Sequence, residues 1–278
     1  MTSAGAVAVQ PGDELRHPPG FAPSWREVWR FDAVTGDVAL GVSVRLALHP
    51  GRNEGSYRVL LFGDGRPLVA LVDDEVPLPR RALGLEIRSS GLWADHVCED
   101  LLERWAVAVE AFALAVDPAT EVTADLRGER VPLGLDLEWE ADRAPDVFAP
   151  GHYEVPARVR GEVVVGREQV GLDGWGRWTH RWGPAPTAPG AWSELRVRGP
   201  GGVWVSQAVP DAARPSGRGR LSLQVGTQRL RAGPVAWAAL RLARPGGSVL
   251  RWRRGLLRLE AAGGPVGAGW IDLGALVR

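Results

Sequence analysis

The sequence predicts an all-β protein organised as two β-rich halves, and three observations predict it. Apolar residues recur with a period of two along most of the chain. Glycine (36) and proline (22) are abundant enough to supply many tight turns. A polar, proline-bearing stretch from Glu140 to Pro156 interrupts the alternation, which restarts beyond it. The expected organisation is a flexible arm at 1–20, a first β unit at 21–150 and a second at 151–278; two barrels or sandwiches suit these lengths better than one sheet.

In chain order, residues 1–20 carry Pro11, Pro18, Pro19 and Gly20 and little periodicity, hence the arm. Val38 to Leu48 and Ser56 to Phe62 alternate as strands, and Gly63-Asp-Gly-Arg-Pro67 is a turn before Leu68 to Val72 returns. Asp100 to Val116 admits two readings. Asp100-Leu-Leu-Glu103 has the form of a helix capping box, with Leu101, Trp105, Val109, Phe112 and Val116 near helical spacing. As a strand, the same segment sets Val107, Val109, Ala111 and Ala113 opposite Ala106, Ala108, Phe112 and Leu114, with Glu110 its one charge. Arg130 to Glu140 alternates cleanly: Leu133, Leu135, Leu137 and Trp139 face one way, Asp136, Glu138 and Glu140 the other. In the second half, Ala157 to Val165 is strand-like, and Arg198-Gly-Pro-Gly-Gly202 and Arg244-Pro-Gly-Gly247 are two similar hairpin turns. Val249 to Leu257 and a strand near Gly269 to Leu273 close the chain.

Composition excludes several functions. All 33 basic residues are arginine, which removes phosphate-binding and Schiff-base lysines. The 33 acids balance them, so no net field draws the chain to nucleic acid or anionic lipid. Cys98 is the one cysteine, which rules out a disulfide framework and thiolate zinc sites. No signal-peptide pattern or membrane-length apolar run is present, and a cytoplasmic protein is expected. No nucleotide, zinc-hydrolase or calcium motif occurs, so no cofactor and no metal are expected. His96, Cys98 and Glu99 invite a metal reading, but on a strand Glu99 points away from the other two. Arg251-Trp-Arg-Arg254 reads as an exposed edge strand guarded by arginines.

The aromatic content is mostly indole: 13 Trp against 5 Phe and 2 Tyr. So much indole fits a large core or a cavity lined by flat rings. The densest segment is Gly171 to Gly183. Extended, it places Trp178, His180 and Trp182 on one face and Trp175, Arg177, Thr179 and Arg181 on the other. A histidine between indoles suits acid–base chemistry beside apolar walls, or a packed barrel end.

Gly174-Trp-Gly-Arg-Trp-Thr-His-Arg-Trp-Gly183 resembles the G-x-G-x-R-D-H-S-W-G segment of the carotenoid 1,2-hydratase (hydroxyneurosporene synthase)-like superfamily, which also takes in AttH-like lipocalin-fold proteins and certain pericyclases. Gly91 to Glu99, Leu102 to Trp105 and Val131 to Glu140 are similar to an actinobacterial branch of it. The resemblance implies two lipocalin-like β-barrels in tandem, a strand at Trp105 to Val116, and a hydrophobic cavity for an isoprenoid, polyene or polyketide-like ligand. His180, Trp182 and Gly183 match the motif, whereas its Asp is Thr179 here and its Arg is Trp178. A hydratase needs an acid near the double bond, and threonine is not one. Candidate replacements are Glu99, Glu110, Asp136 and Glu138, with Glu110 favoured as the lone carboxylate of an apolar segment. The expected site is therefore His180 and Glu110 as catalytic groups, with Trp175, Trp178, Thr179, Trp182, Trp105 and Trp139 around the ligand. The expected function is binding of a lipophilic small molecule, with hydratase, isomerase or cyclase chemistry. The alternative is a carrier, or barrels filled by their own side chains.

Overall fold

A computed structural model describes residues 8–81, 84–184, 191–208, 220–225, 227–243 and 249–277. The described chain is all-β apart from three single 3-10 turns, as its period-two patterning predicts. The strands are β1 (Trp25–Thr35), β2 (Gly41–His49), β3 (Glu54–Phe62), β4 (Leu68–Val76), β5 (Ile87–Ser89), β6 (Leu92–Asp100), β7 (Arg104–Val116), β8 (Glu121–Val122) and β9 (Glu129–Ala141). They continue with β10 (Asp146–Ala149), β11 (His152–Val165), β12 (Glu168–Pro184), β13 (Trp192–Arg198), β14 (Trp204–Ala208), β15 (Leu221–Val225), β16 (Gln228–Ala243), β17 (Val249–Ala261) and β18 (Gly264–Val277).

The first sheet closes on itself. Antiparallel pairing runs β1-β2-β3-β4-β7-β9-β11-β12 and returns from β12 to β1, an eight-stranded barrel. The β5–β6 hairpin extends one end, because β6 pairs with Arg104 to Ala111 of β7 while β4 pairs with its last residues, Leu114 to Val116. Strands on both sides of residue 150 thus belong to one closed sheet, and the expected boundary there does not divide the sheets. Tyr153 to Val163 must join the first barrel because their alternate side chains complete its interior.

Asp100 to Val116 settles as strand β7 after a tight turn. Leu102 takes a left-handed φ of 63°, which no helix start tolerates. Both flanks of β7 are paired, to β6 and β9, so its backbone groups are satisfied only as a strand.

The second sheet runs β14-β13-β18-β17-β16-β15, with β8 added parallel to β16. Among the described residues no pairing joins β14 to β15. One face packs on the outside of the barrel through Val34, Leu60, Phe62, Leu256 and Trp270. The other face carries its own apolar layer, including Leu195, Val197, Leu223, Leu257 and Ile271.

Arg251 to Arg254 does not form the exposed edge expected of it. Strand β17 lies between β16 and β18, with Trp252 and Arg254 buried against the barrel. The turn at Arg244 to Gly247 and the loop Arg214 to Arg220 fall largely outside the described residues.

The arm is not loose where it is described. Pro11–Glu14 forms a 3-10 turn, and Glu14 is buried inside the barrel end. A carboxylate enters because hydrogen-bond donors meet it there.

Candidate functional site

The alternation of β1 and β12 positions the site. On β1, Trp25, Glu27, Trp29 and Phe31 face inward; on β12, Trp178, His180 and Trp182 do. The two strands run side by side with Trp29 opposite His180 and Phe31 opposite Trp178. Gly174 and Gly176 permit this closeness: a Cβ would meet Val34 O at 2.2 Å or Asp32 O at 1.8 Å. Trp139 Nε1 donates to that same Asp32 carbonyl at 2.9 Å.

His180 is fully buried and its ring stacks on Trp29, centroids 4.3 Å apart. Nε2 lies 3.0 Å from Glu27 Oε1, and Nδ1 lies 2.6 Å from the carbonyl oxygen of Asp13. Both ring nitrogens face acceptors, so both must carry hydrogen for these contacts to be hydrogen bonds. Glu27 also accepts from His17, through the backbone N–H at 3.0 Å and through Nδ1 at 2.8 Å. Burial opposes ionisation of Glu27, but hydrogen bonds from His17 and His180 and the charge of His180 hold its carboxyl below the ordinary value. His17 in turn stacks flat on Trp182 at 3.9 Å, which seats the arm on the barrel mouth. His17, Glu27 and His180 each offer one ligand atom within 4.8 Å of the others. These are the residues placed to share a divalent cation, a donor set of two imidazoles and one carboxylate.

Deeper in the lumen, Glu14 accepts from Trp178 Nε1 (3.0 Å), Tyr153 Oη (2.8 Å) and Trp105 Nε1. Tyr57 Oη and His96 Nε2 are hydrogen-bonded at 2.8 Å. Burial pushes the His96 imidazole down to about 3, so it is neutral. His96 Nδ1 and Trp29 Nε1 are buried without a partner, two polar atoms inside an otherwise satisfied lumen. A small cavity of about 50 Å³ lies at the opposite end, against Leu40, Leu61, Val69, Val163 and Val170, with Arg66 and Glu168 also lining it. A groove of about 690 Å³ also opens there, near Pro67, Val116 and Val235. None of the groove's charged residues is buried, in contrast to Glu27 and Glu14 at the mouth.

Several expected residues lie elsewhere. Glu110 is exposed on the outer face of β7, because the residues that fill the lumen from that strand are Trp105, Val107 and Val109. Asp136 and Glu138 are solvated on β9, and Glu99 pairs with Arg104 at 2.8 Å. Trp175 also points outward, with Arg198 over its ring at 3.3 Å and Arg158 at 5.1 Å. Thr179 faces outward too, its hydroxyl buried without a partner. Trp105, Trp139 and Trp178 line the lumen, and Trp182 stands at its mouth. Glu27, Glu14, His17, Trp29 and Tyr153 went unread. The alternation Trp25-Arg-Glu-Val-Trp29 puts Glu27 on an aromatic face and was a legible signal; Glu14 had none, since nothing local says an arm enters a barrel.

Residues 10–195 match the model of a family described as a domain of unknown function, DUF7064. No curated protein matches the sequence. Among solved structures the fold is similar to an AttH of Nitrosomonas europaea, at 12% identity over 99% of each chain with a TM-score of 0.61. It is similar to kievitone hydratase from Nectria haematococca, at 11% identity over 96% of this chain and 95% of that one, TM-score 0.51. CghA bound to Sch210972 aligns at 12% identity over 91% and 88%, TM-score 0.47. The first two likenesses establish the fold, which is the one the central motif implies.

Proposed function

Since the chain belongs to the DUF7064 family, a domain of unknown function, we propose a role from the site itself: the first barrel binds a lipophilic small molecule in its lumen, and His180 exchanges a proton with it. The observation that carries this reading is the buried His180–Glu27 pair, set between the Trp29 ring and the lumen.

Glu27 holds the Nε2 side of the ring, fixing its orientation and balancing its positive charge. Nδ1, which the Asp13 carbonyl caps at 2.6 Å and the Tyr153 hydroxyl approaches at 3.4 Å, is the atom that gives or takes the proton once that cap is displaced. Protonation of an unsaturated or enolic carbon would leave His180 neutral with Nε2–H still on Glu27. Isomerisation restores the proton from an adjacent carbon of the substrate, and hydration restores it from the added water. The indole walls of Trp29, Trp105, Trp139 and Trp178 favour a flat, unsaturated skeleton by stacking. The unpartnered Trp29 Nε1 is a donor that a ligand oxygen would satisfy, and His96 Nδ1 is a second buried polar atom open to a ligand hydrogen bond. An isoprenoid, polyene or polyketide-like compound has this chemistry, and the fold shared with a protein named kievitone hydratase is compatible with it.

Farnesol, retinol and retinoic acid, titrated into the full chain, test the reading by quenching of indole fluorescence and by native mass spectrometry. The expected result is one-to-one binding of at least one of them, weakened by Trp178→Ala. Unchanged fluorescence with only the ligand-free mass would overturn it in favour of a barrel filled by its own side chains.

A further inference from the structure

Three hydrogen-bond donors converge on one point of the barrel interior with no cation among them. Trp178 Nε1 and Tyr153 Oη serve one oxygen of Glu14, at 3.0 and 2.8 Å; Trp105 Nε1 serves the other, with Cys98 Sγ 4.0 Å away. Trp105, Tyr153 and Trp178 are fixed on three different barrel strands, each no more than 2% exposed, so the donors are held by the sheet and not by the arm. An indole N–H can only donate, so two indoles aimed at two oxygens about one carboxylate apart form a socket for an acceptor pair. The occupant, by contrast, comes from a short 3-10 turn. Asp13, beside Glu14, caps the Nδ1 of His180 with its carbonyl oxygen.

We infer that Trp105, Tyr153 and Trp178 form a carboxylate-recognition site, that the barrel's ligand is a lipophilic acid whose carboxylate takes this place, and that Glu14 is the chain's own stand-in for it. This inference rests on the lumen reading above and names the ligand's head group. Entry of an acid displaces Glu14 and, with it, the Asp13 carbonyl. The same event frees the proton-exchanging nitrogen of His180, so the residue is unmasked only when a ligand with the right head group arrives. A ligand ending in a hydroxyl offers one oxygen where the socket serves two, and it leaves an indole N–H unpaired in an apolar interior, which is costly.

The test uses full-length protein, wild type and Glu14→Ala, with three kinds of probe. Propionate matches the side chain removed by Glu14→Ala. The melting temperature of that variant is expected to fall below wild type and to recover in sodium propionate, but not in propionamide or in sodium chloride of equal ionic strength. Dodecanoate is expected to bind more tightly than dodecanol, and to bind Glu14→Ala about tenfold or more tightly than wild type because the internal competitor is gone. Glu14→Gln keeps the side chain's shape, turns an amide N–H₂ toward the donors, and is expected to raise dodecanoate affinity in the same way; it carries the measurement if the alanine variant fails to fold. Equal effects of propionate, propionamide and chloride would overturn the inference, as would equal affinity for dodecanoate and dodecanol. Failure of the underlying reading is separate: neither dodecanoate nor dodecanol would bind, while propionate rescue, which needs no lipophilic chain, persisted.

Discussion

Arg254 Nη2 donates to Asp32 Oδ2 at 2.6 Å across 222 residues of sequence, and neither side chain reaches solvent. The contact joins the second sheet to the outer face of the barrel. Around it, Arg177 bridges Asp32 and Glu154 at 3.1 and 3.0 Å, Arg196 holds Glu154 at 2.8 Å, and Ser43 donates to Asp32. The two halves therefore meet through a buried charge network flanked by apolar contacts.

Removing one arginine from that network leaves a buried carboxylate underpaired. Arg254→Met is expected to cost about 3–5 kcal/mol in urea unfolding. The more exposed pair of Arg66 and Glu168 is the control, and Arg66→Met is expected to cost less than about 1 kcal/mol. Equal costs would show that the network adds nothing special to the interface.

Acid acts on the fold in two windows. Burial depresses His96 to about 3 and His152 to about 4 from an ordinary 6.5. The unfolded chain takes up those protons first, so stability falls as pH drops from about 6.5 toward 3. Burial would raise Glu154, but Arg177 and Arg196 outweigh it and hold its carboxyl at about 2 against an ordinary 4.5. Its contribution is whole above about pH 4.5 and is lost as pH falls to about 2. Urea midpoints measured across this range should decline in both windows; His96→Gln should lessen the upper decline, which His152 shares, and Glu154→Gln the lower.

In the role proposed above, Glu27 acts through His180, as a positioning residue. Glu27→Gln removes the acceptor charge, and on a substrate the protein turns over it is expected to lower kcat about 10²-fold or more with little change in ligand affinity. The pH profile of kcat should shift as well, which a merely structural role would not produce. A parallel loss of affinity and kcat would point instead to a collapsed mouth.

The arm depends on indole donors on β7 and β12. Trp105→Phe keeps the ring packing and deletes one donor to Glu14, so trypsin should cut after Arg16 faster than in wild type while circular dichroism stays unchanged. Unaltered cleavage would mean that His17 on Trp182 and the Arg16 bonds to the carbonyls of Pro79 and Arg81 suffice.

Gly176 sits where β12 presses on β1. Gly176→Ala drives a methyl into the Asp32 carbonyl and should destabilise by more than about 2 kcal/mol, with Gly166→Ala, at an open turn, as a milder comparison whose cost comes from φ 62° alone. Thermal melts of the two variants decide the order.

The strands, the turn at Gly63 to Pro67 and the inward face of Trp178, His180 and Trp182 were legible in the sequence, because a period of two is local and each side chain's face follows from its neighbours. The central motif carried the fold as well, through the family it resembles. The sequence alone did not determine which carboxylate serves His180. Glu110 stands in an apolar run yet faces solvent, while Glu27 is buried with its carboxylate 3.0 Å from the ring, and Glu14, in a stretch that reads as a loose arm, is buried and linked to the ring through the Tyr153 hydroxyl. Nor did it show that Arg254, in an arginine-rich run that reads as an exposed edge, is buried against Asp32. Burial of a charge is decided by what the closed sheet brings against it from far along the chain, and that pairing has no period to read.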